Sequence, residues 1–379
     1  MWSPQRYREL GLEKGVDPEV VDRSAEAISD FLDSYATLPP ILTLGHLAAR
    51  TGIPYYKLRK IVVGQRTLEY QYFWIRKRSG GRRLISVPEP DLMHIQRWIA
   101  GHLLARQPVH RASAAFRPKA SISKCARQHC EARWLIKLDI SGFFGSISEI
   151  QVYRVFRRMG YAPLVAFELA RLCTHAPANS KRYQQDSKWL VRKCESRKFY
   201  TQWGIGYLPQ GAPSSPMLSN LIMVEADKKI AKLATNQGLT YTRYSDDITF
   251  STTRGYDRER AKKIVRDTTA ILRRMGLAVN DKKTRIIPPG GRKIVLGLLV
   301  DGSHPKLTRD FRDRLRQHLY YLQKFGPEAH QLERGFDTVS GLYRHVRGLI
   351  DFAKSIDANY AARVQKKFEA IKWSLDFSD

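Results

Sequence analysis

Two adjacent aspartates sit inside a strand-forming stretch, Tyr241-Thr-Arg-Tyr-Ser-Asp-Asp-Ile-Thr-Phe-Ser251. Tyr, Thr, Ile and Phe favour extended chain, whereas Asp disfavours it. Apolar arms around an acidic centre therefore predict a hairpin whose turn presents Asp246 and Asp247. Such a turn needs something positive near it, most simply a hard divalent cation such as Mg²⁺, which takes carboxylate oxygens. Taken alone, the stretch reads sooner as a solvated Asp-Asp turn. A second acidic strand argues against that reading: Trp134-Leu-Ile-Lys-Leu-Asp-Ile140 is an apolar run interrupted by Lys137 and ending in Asp139. Asp139 and Asp246 lie 107 residues apart, so only a fold can bring them together.

The chain of 379 residues is long enough for two or three subdomains. Its charge narrows the partners. With 65 Lys+Arg against 36 Asp+Glu the net charge is +29, which points to a polyanion, most economically nucleic acid. An acidic protein or a membrane surface is the alternative. Cys125, Cys130, Cys173 and Cys194 show no CxxC spacing, and with His129 and His175 they match no common zinc pattern, so reduced thiols are expected. There is no apolar run of about 18 residues, and the start lacks the apolar core of a signal peptide. A cytoplasmic protein without a membrane partner is expected.

Along the chain, residues 1–50 read as helical, with Pro18 at a helix start and Pro39-Pro40 as a break. Two short helices are expected around Gly52-Ile-Pro54, either a nucleic-acid-contacting extension or a packing layer. Phe73 to Val87 reads as two strands joined at Gly80-Gly81, and residues 54–83 hold nine Lys/Arg and one acid. A helix through Ile95, Trp98, Ile99 and Leu103 follows. One helix is expected from about Ser148 to Cys173. In residues 180–205, bases alternate with Tyr183, Trp189, Phe199, Tyr200 and Trp203, which suits either a nucleic-acid groove or an ordered loop. Helices are expected through Leu218 to Ala226 and over 257–275, and residues 304–379 read as helical.

Asp139 followed by Phe143-Phe144, then Leu208-Pro-Gln-Gly-Ala-Pro-Ser-Ser-Pro216, then Tyr244-Ser-Asp-Asp247 resembles the reverse transcriptases of bacteria, in motif order, wording and spacing. The likeness covers roughly residues 55–379 and is to the retron type. It implies an α+β right-hand polymerase architecture: fingers, a palm with an antiparallel sheet, and a helical thumb, with an N-terminal helical extension. The corresponding boundaries are 1–69 for the extension, 70–300 for fingers and palm, and 301–379 for the thumb.

The resemblance also implies roles. Asp139, Asp246 and Asp247 would be catalytic and would hold two Mg²⁺, with the Ile140 carbonyl as a further ligand. Lys77, Arg82 and then Arg83 would meet the incoming triphosphate, for which a guanidinium offers two parallel donors. Phe144 would lie under the sugar and exclude a 2′-hydroxyl. Gln210 would sit beside the nucleotide, and Gly211 lets backbone approach a ligand closely. Lys283, chosen over Lys282, would protonate the leaving pyrophosphate. His129 would touch RNA or satisfy a buried hydrogen bond. Arg309, Arg312 and Arg316 would follow the duplex, with a solvated helix face as the rival.

A retron-type enzyme would copy a dedicated structured non-coding RNA with dNTPs, primed from an RNA 2′-hydroxyl. Its product would be a branched RNA–DNA (msDNA), and it would act with an effector protein encoded nearby in anti-phage defence. Cys125 stands where such enzymes typically carry Asn, and Leu296 where they commonly carry Thr. The rivals are another bacterial defence reverse transcriptase and a group II intron-like enzyme. The latter would be expected to add a maturase or nuclease domain. An inactive polymerase-shaped RNA-binding scaffold and an RNA-templated RNA polymerase complete the set. Intact Asp139, Gln210, Asp246 and Asp247 disfavour the scaffold, and Phe144 disfavours the RNA polymerase.

Overall fold

The computed structural model describes residues 2–64, 69–76, 80–175 and 205–373. Four helices come first: α1 (Pro4–Glu13), α2 (Pro18–Ser34), α3 (Leu44–Thr51) and α4 (Tyr55–Val63). Pro18 begins α2 as read, since a first-turn proline forfeits no helical bond, and the Asp17 carboxylate caps Glu19 and Val20. The hairpin β1 (Tyr70–Arg76) and β2 (Arg82–Pro88) follows, paired antiparallel from Tyr70↔Pro88 to Arg76↔Arg82. Next come α5 (Pro90–Ile99), which runs on through a π turn, and the short α6 (Ile122–Arg127).

The strand β3 (Trp134–Asp139) leads to α7 (Glu149–Arg158) and α8 (Pro163–Cys173). The single helix expected from Ser148 to Cys173 is thus two. Gly160 adopts φ +88° and Pro163 starts the second, so the chain turns where a left-handed residue and a helix-starting proline fall close together. After α9 (Ser215–Asn236) come β4 (Thr240–Tyr244), β5 (Asp247–Thr252), α10 (Arg258–Arg274) and β6 (Arg285–Ile287). A small sheet of β7 (Ile294–Val295), β8 (Leu298–Leu299) and β9 (Lys306–Leu307) leads into α11 (Arg309–Arg334), α12 (Val339–Lys354) and α13 (Ala358–Glu369).

The central sheet is antiparallel with strand order β4-β5-β3-β6. Its strands are apolar because both faces are covered in part. Ile136, Leu138, Ile248 and Phe250 join the larger hydrophobic core with α5, α7, α8, α9 and α10. Leu135, one step along β3, points the other way into a second core. There it meets Val295, Leu298 and Leu307 and the apolar faces of α11, α12 and α13. Leu315, Leu319 and Leu322 of α11 are buried in that core as their spacing predicts. No helix among the described residues is long and apolar enough to cross a membrane.

Candidate active site

The β4–β5 hairpin closes with only Ser245 and Asp246 between the paired residues Tyr244 and Asp247. Ser245 takes φ +60°, the left-handed conformation that so tight a turn demands. Across the sheet, β3 pairs with β5 in a register that sets Asp139 opposite Asp247. The Ile140 N–H donates to the Asp246 carbonyl at 3.0 Å, which fastens the turn to the end of β3. Asp139 and the adjacent pair Asp246 and Asp247, which begins 107 residues later in sequence, are thereby gathered at one end of the sheet.

The charge there is undercompensated. Burial pushes the Asp246 carboxyl above its usual range, and the charges of Asp139 and Asp247 push it further, with Lys283 opposing. Burial also raises Asp247, against the pull of Lys137, whose Nζ lies 3.7 Å away. The Lys283 ammonium bonds both Asp139 oxygens, at 2.9 and 3.0 Å, whereas no such contact involves Lys282. Among the described residues no three carboxylate, imidazole or thiol groups form a ready metal cage. The donor chemistry nevertheless fits a divalent cation: hard oxygens, mutually repelling and partly desolvated, with an ammonium drawn to one of them.

A buried network holds the turn from behind, and sequence reading missed it. Arg243 and Asp227 are both fully buried and form a two-pronged ion pair at 2.8 and 2.7 Å. The Arg243 guanidinium also donates to the Ser245 carbonyl at 3.0 Å and to Asn220 at 3.2 Å, and the Tyr241 hydroxyl donates to Asp227 at 2.7 Å. One fully buried cation is costly unless paired and fully bonded. Here it fixes the backbone immediately before Asp246. An arginine as the one charged residue of β4, with a lone Asp on the apolar face of α9, was the available signal.

The other candidates fall in different places. Phe143 is buried in the core while Phe144 is half-buried beside it, rings 5.6 Å apart, so the two successive rings face differently. Phe116, in a left-handed conformation with φ +57°, lies 6.2 Å from Phe144 and was not foreseen. The Gln210 carbonyl accepts from Ser86 N–H at 2.8 Å, tying this loop to β2. Gly211 makes its close approach to protein: a Cβ there would lie 2.9 Å from the Ser86 carbonyl oxygen and from Ile85. Arg82 and Arg83 lie at the exposed start of β2. Lys77 and the aromatic-basic stretch 180–205 up to residue 204 lie outside the described residues.

Two of the nucleic-acid candidates are held in contacts within the protein. His129 is fully buried, with ring nitrogens 2.7 Å from the hydroxyls of Ser251 and Thr242, and burial pushes its pKa down to about 4. It latches α6 to β4 and β5 and cannot meet RNA directly. Cys125 shares the latch through Thr242 at 3.5 Å. Arg312 donates to Asp357 at 2.9 Å and lies over the Tyr360 ring, so it fastens α13 to α11. Arg309 and Arg316 are 87% and 65% exposed and share Asp313 as a partner. Leu296 and Gly297 both have positive φ, at 50° and 82°, and form the β7–β8 turn.

The family described as reverse transcriptase (RNA-dependent DNA polymerase) matches residues 75–299. The retron Mx65 reverse transcriptase of Myxococcus xanthus is 32% identical over 87% of this chain and 72% of its own length. The chain belongs to the bacterial retron-type reverse transcriptases. The retron Ec86 reverse transcriptase of Escherichia coli is 26% identical, over 91% of this chain and 97% of its own. The retron Mx162 reverse transcriptase of Myxococcus xanthus is 31% identical over 76% and 61%, respectively. This reverse transcriptase is an RNA-directed DNA polymerase with the right-hand architecture, and its four-stranded antiparallel sheet is the palm.

Proposed function

We propose that the chain copies a dedicated structured RNA into a short DNA by phosphoryl transfer at Asp139, Asp246 and Asp247. The observation that carries this reading is the register bringing Asp139 opposite Asp247 at the end of the palm sheet, with the Asp246 turn bonded to Ile140. Asp139 and Asp246 would hold two Mg²⁺, with Asp247 and the Ile140 carbonyl assisting. When bound, the ions would lower the pKa of the primer hydroxyl and neutralise the triphosphate and the leaving pyrophosphate. Lys283, already on Asp139, would move its ammonium to the pyrophosphate and give it a proton. Phe144 would close the space beneath the sugar, Gln210 would flank the nucleotide, and Arg82 and Arg83 would grip the triphosphate. Such catalysis is mainly positioning and charge neutralisation.

The division at residues 69 and 300 into extension, fingers with palm, and thumb belongs to this proposal. So do priming from an RNA 2′-hydroxyl, a branched msDNA product, an effector protein and a part in anti-phage defence. The retron names of relatives such as the Mx65 and Ec86 reverse transcriptases support the msDNA product among these. The experiment is to purify the protein with its genomic neighbourhood expressed and sequence all bound nucleic acid, alongside Asp246→Asn. A short DNA joined to one RNA, absent from the variant, is expected. Unbranched or heterogeneous DNA would discard the retron product but keep the polymerase, and RNA alone in both samples would favour the scaffold.

A further inference from the structure

The first thumb helix, α11, is broken at Gly326, whose φ of 80° and ψ of 167° are not helical, and Pro327 follows without an N–H to donate. In a straight helix, residues nine apart are separated by about 13 Å along the axis. Here the rings of Tyr321 and His330 stack at 5.7 Å and 20°, so the chain has folded back at the break. The notch so formed encloses about 500 Å³, within the range of small-ligand sites. Its lining is aromatic: the Tyr321 ring lies nearly parallel to His330 and to Phe325, the latter 5.9 Å away at 19°. Gln317, Glu333 and Arg334 contribute polar and charged groups.

Two properties of this lining select a ligand. It is accessible, with Tyr321 39% and Phe325 55% exposed, although large aromatic side chains are ordinarily covered. It is also uncharged at neutral pH. His330 bonds His318 at 2.9 Å, and burial holds both imidazoles below their usual range, His318 at about 4. Cations accompany it: Lys324 Nζ lies over the Phe325 ring, 5.1 Å from its centroid, and Arg334 lines the notch. Flat neutral rings next to cations offer one surface for a π-face and another for a phosphate.

We propose that the notch at the α11 break takes an unpaired base of an RNA strand, stacked on the exposed part of Tyr321 with its phosphate near Arg334 and Lys324. This rests on the reading of the chain as an RNA-copying enzyme and adds to it a site for single-stranded RNA away from the palm carboxylates. A base inside a duplex has both faces stacked and cannot enter.

The test measures binding of fluorescent 12-nucleotide single-stranded RNA homopolymers, and of an RNA duplex of the same length, to the full chain by anisotropy at fixed salt. Tyr321→Ala is expected to weaken single-strand binding by roughly 5- to 100-fold, the range for losing one stacked base. Tyr321→Phe, which keeps the ring, should retain it, and duplex binding should hold in both variants. Unchanged single-strand affinity in Tyr321→Ala would overturn the proposal. So would an equal loss for duplex, or tighter binding of an acidic aromatic peptide than of RNA. Extension of oligo(dT) on poly(rA) by the wild type is run separately, so failure of the polymerase reading is told apart from failure of the notch.

Discussion

Asp246 is held in an electrostatic environment that favours its neutral form, because burial and two neighbouring carboxylates all oppose ionisation. The consequence for stability has a definite sign. A carboxyl whose folded pKa is raised binds its proton more tightly in the folded state, so its ionisation destabilises the fold above that pKa, and the penalty disappears as pH falls through it. Metal-free protein should therefore gain thermal stability from this site as pH is lowered from 7 towards the raised carboxylate range. Mg²⁺ at pH 7 should give a similar gain by supplying the missing positive charge. Asp246→Asn removes the charge permanently: its melting temperature should be at or above wild type, with much smaller responses to pH and Mg²⁺. Its dNTP incorporation should fall by about a thousandfold or more, since one preorganised charge is worth that order in a transition state. Differential scanning calorimetry with and without Mg²⁺, paired with primer extension, checks both halves. A destabilised Asp246→Asn would contradict this account of the turn. Acid should also suppress activity, by protonating the groups that must bind the metal, and excess Mg²⁺ should shift that loss to lower pH.

At the scale of elements, the turn bearing Asp246 depends on a pair that touches nothing in solvent, Arg243 and Asp227. Arg243→Met leaves Asp227 buried without its partner, which should cost about 3–5 kcal/mol in a denaturant titration. The companion Arg243→Met/Asp227→Leu should recover much of that stability. Recovered stability without recovered primer extension would separate holding the turn from holding the fold. Gly211 poses a different constraint. Its φ of +121° lies outside what L residues adopt readily, and a Cβ would meet the Ser86 carbonyl. Gly211→Ala should push the β1–β2 hairpin away from the Gln210 loop, raising KM for dNTP about tenfold or more in steady-state extension, with a smaller change in kcat. The hairpin at Tyr244–Asp247, the strand at Trp134 and the capped α2 were all legible because alternation, turn residues and proline act locally. Other facts were illegible for the same reason. The Arg243–Asp227 pair joins a strand to a helix, and the Gly211 contact joins a loop to another hairpin. The burial of His129 is set by two strands more than a hundred residues later. Nothing within a few residues of any of these positions announces its partner, so the sequence left His129 open between an RNA contact and a buried hydrogen bond.

For the whole molecule, charge is the property that reaches furthest, and it is unevenly spread. Residues 1–34 hold four Lys/Arg against eight Asp/Glu, so the net +29 is carried by the remainder. RNA binding should therefore fall steeply with salt, as each phosphate neutralised releases counterions. The α1–α2 hairpin should add nothing to that dependence. The thumb gives the sharpest contrast within one helix. Arg309 and Arg316 reach solvent on α11, while Arg312, between them in sequence, is committed to Asp357 and Tyr360. If the exposed pair meets phosphates, Arg309→Gln and Arg316→Gln should each reduce the slope of log affinity against log salt by about 0.7–0.9 and leave the melting temperature close to wild type. Arg312→Gln should do the opposite: it frees Asp357 and loosens α13 from α11, lowering the melting temperature and moving the salt slope little. Fluorescence titrations of one structured RNA at several salt concentrations, with a melting curve for each variant, separate the two kinds of arginine. A salt slope lowered by Arg312→Gln at unchanged stability would place that residue on the RNA after all. A slope unmoved by both exposed variants would leave the α11 basic face as a solvated surface and shift the polyanion contacts to other parts of the basic chain.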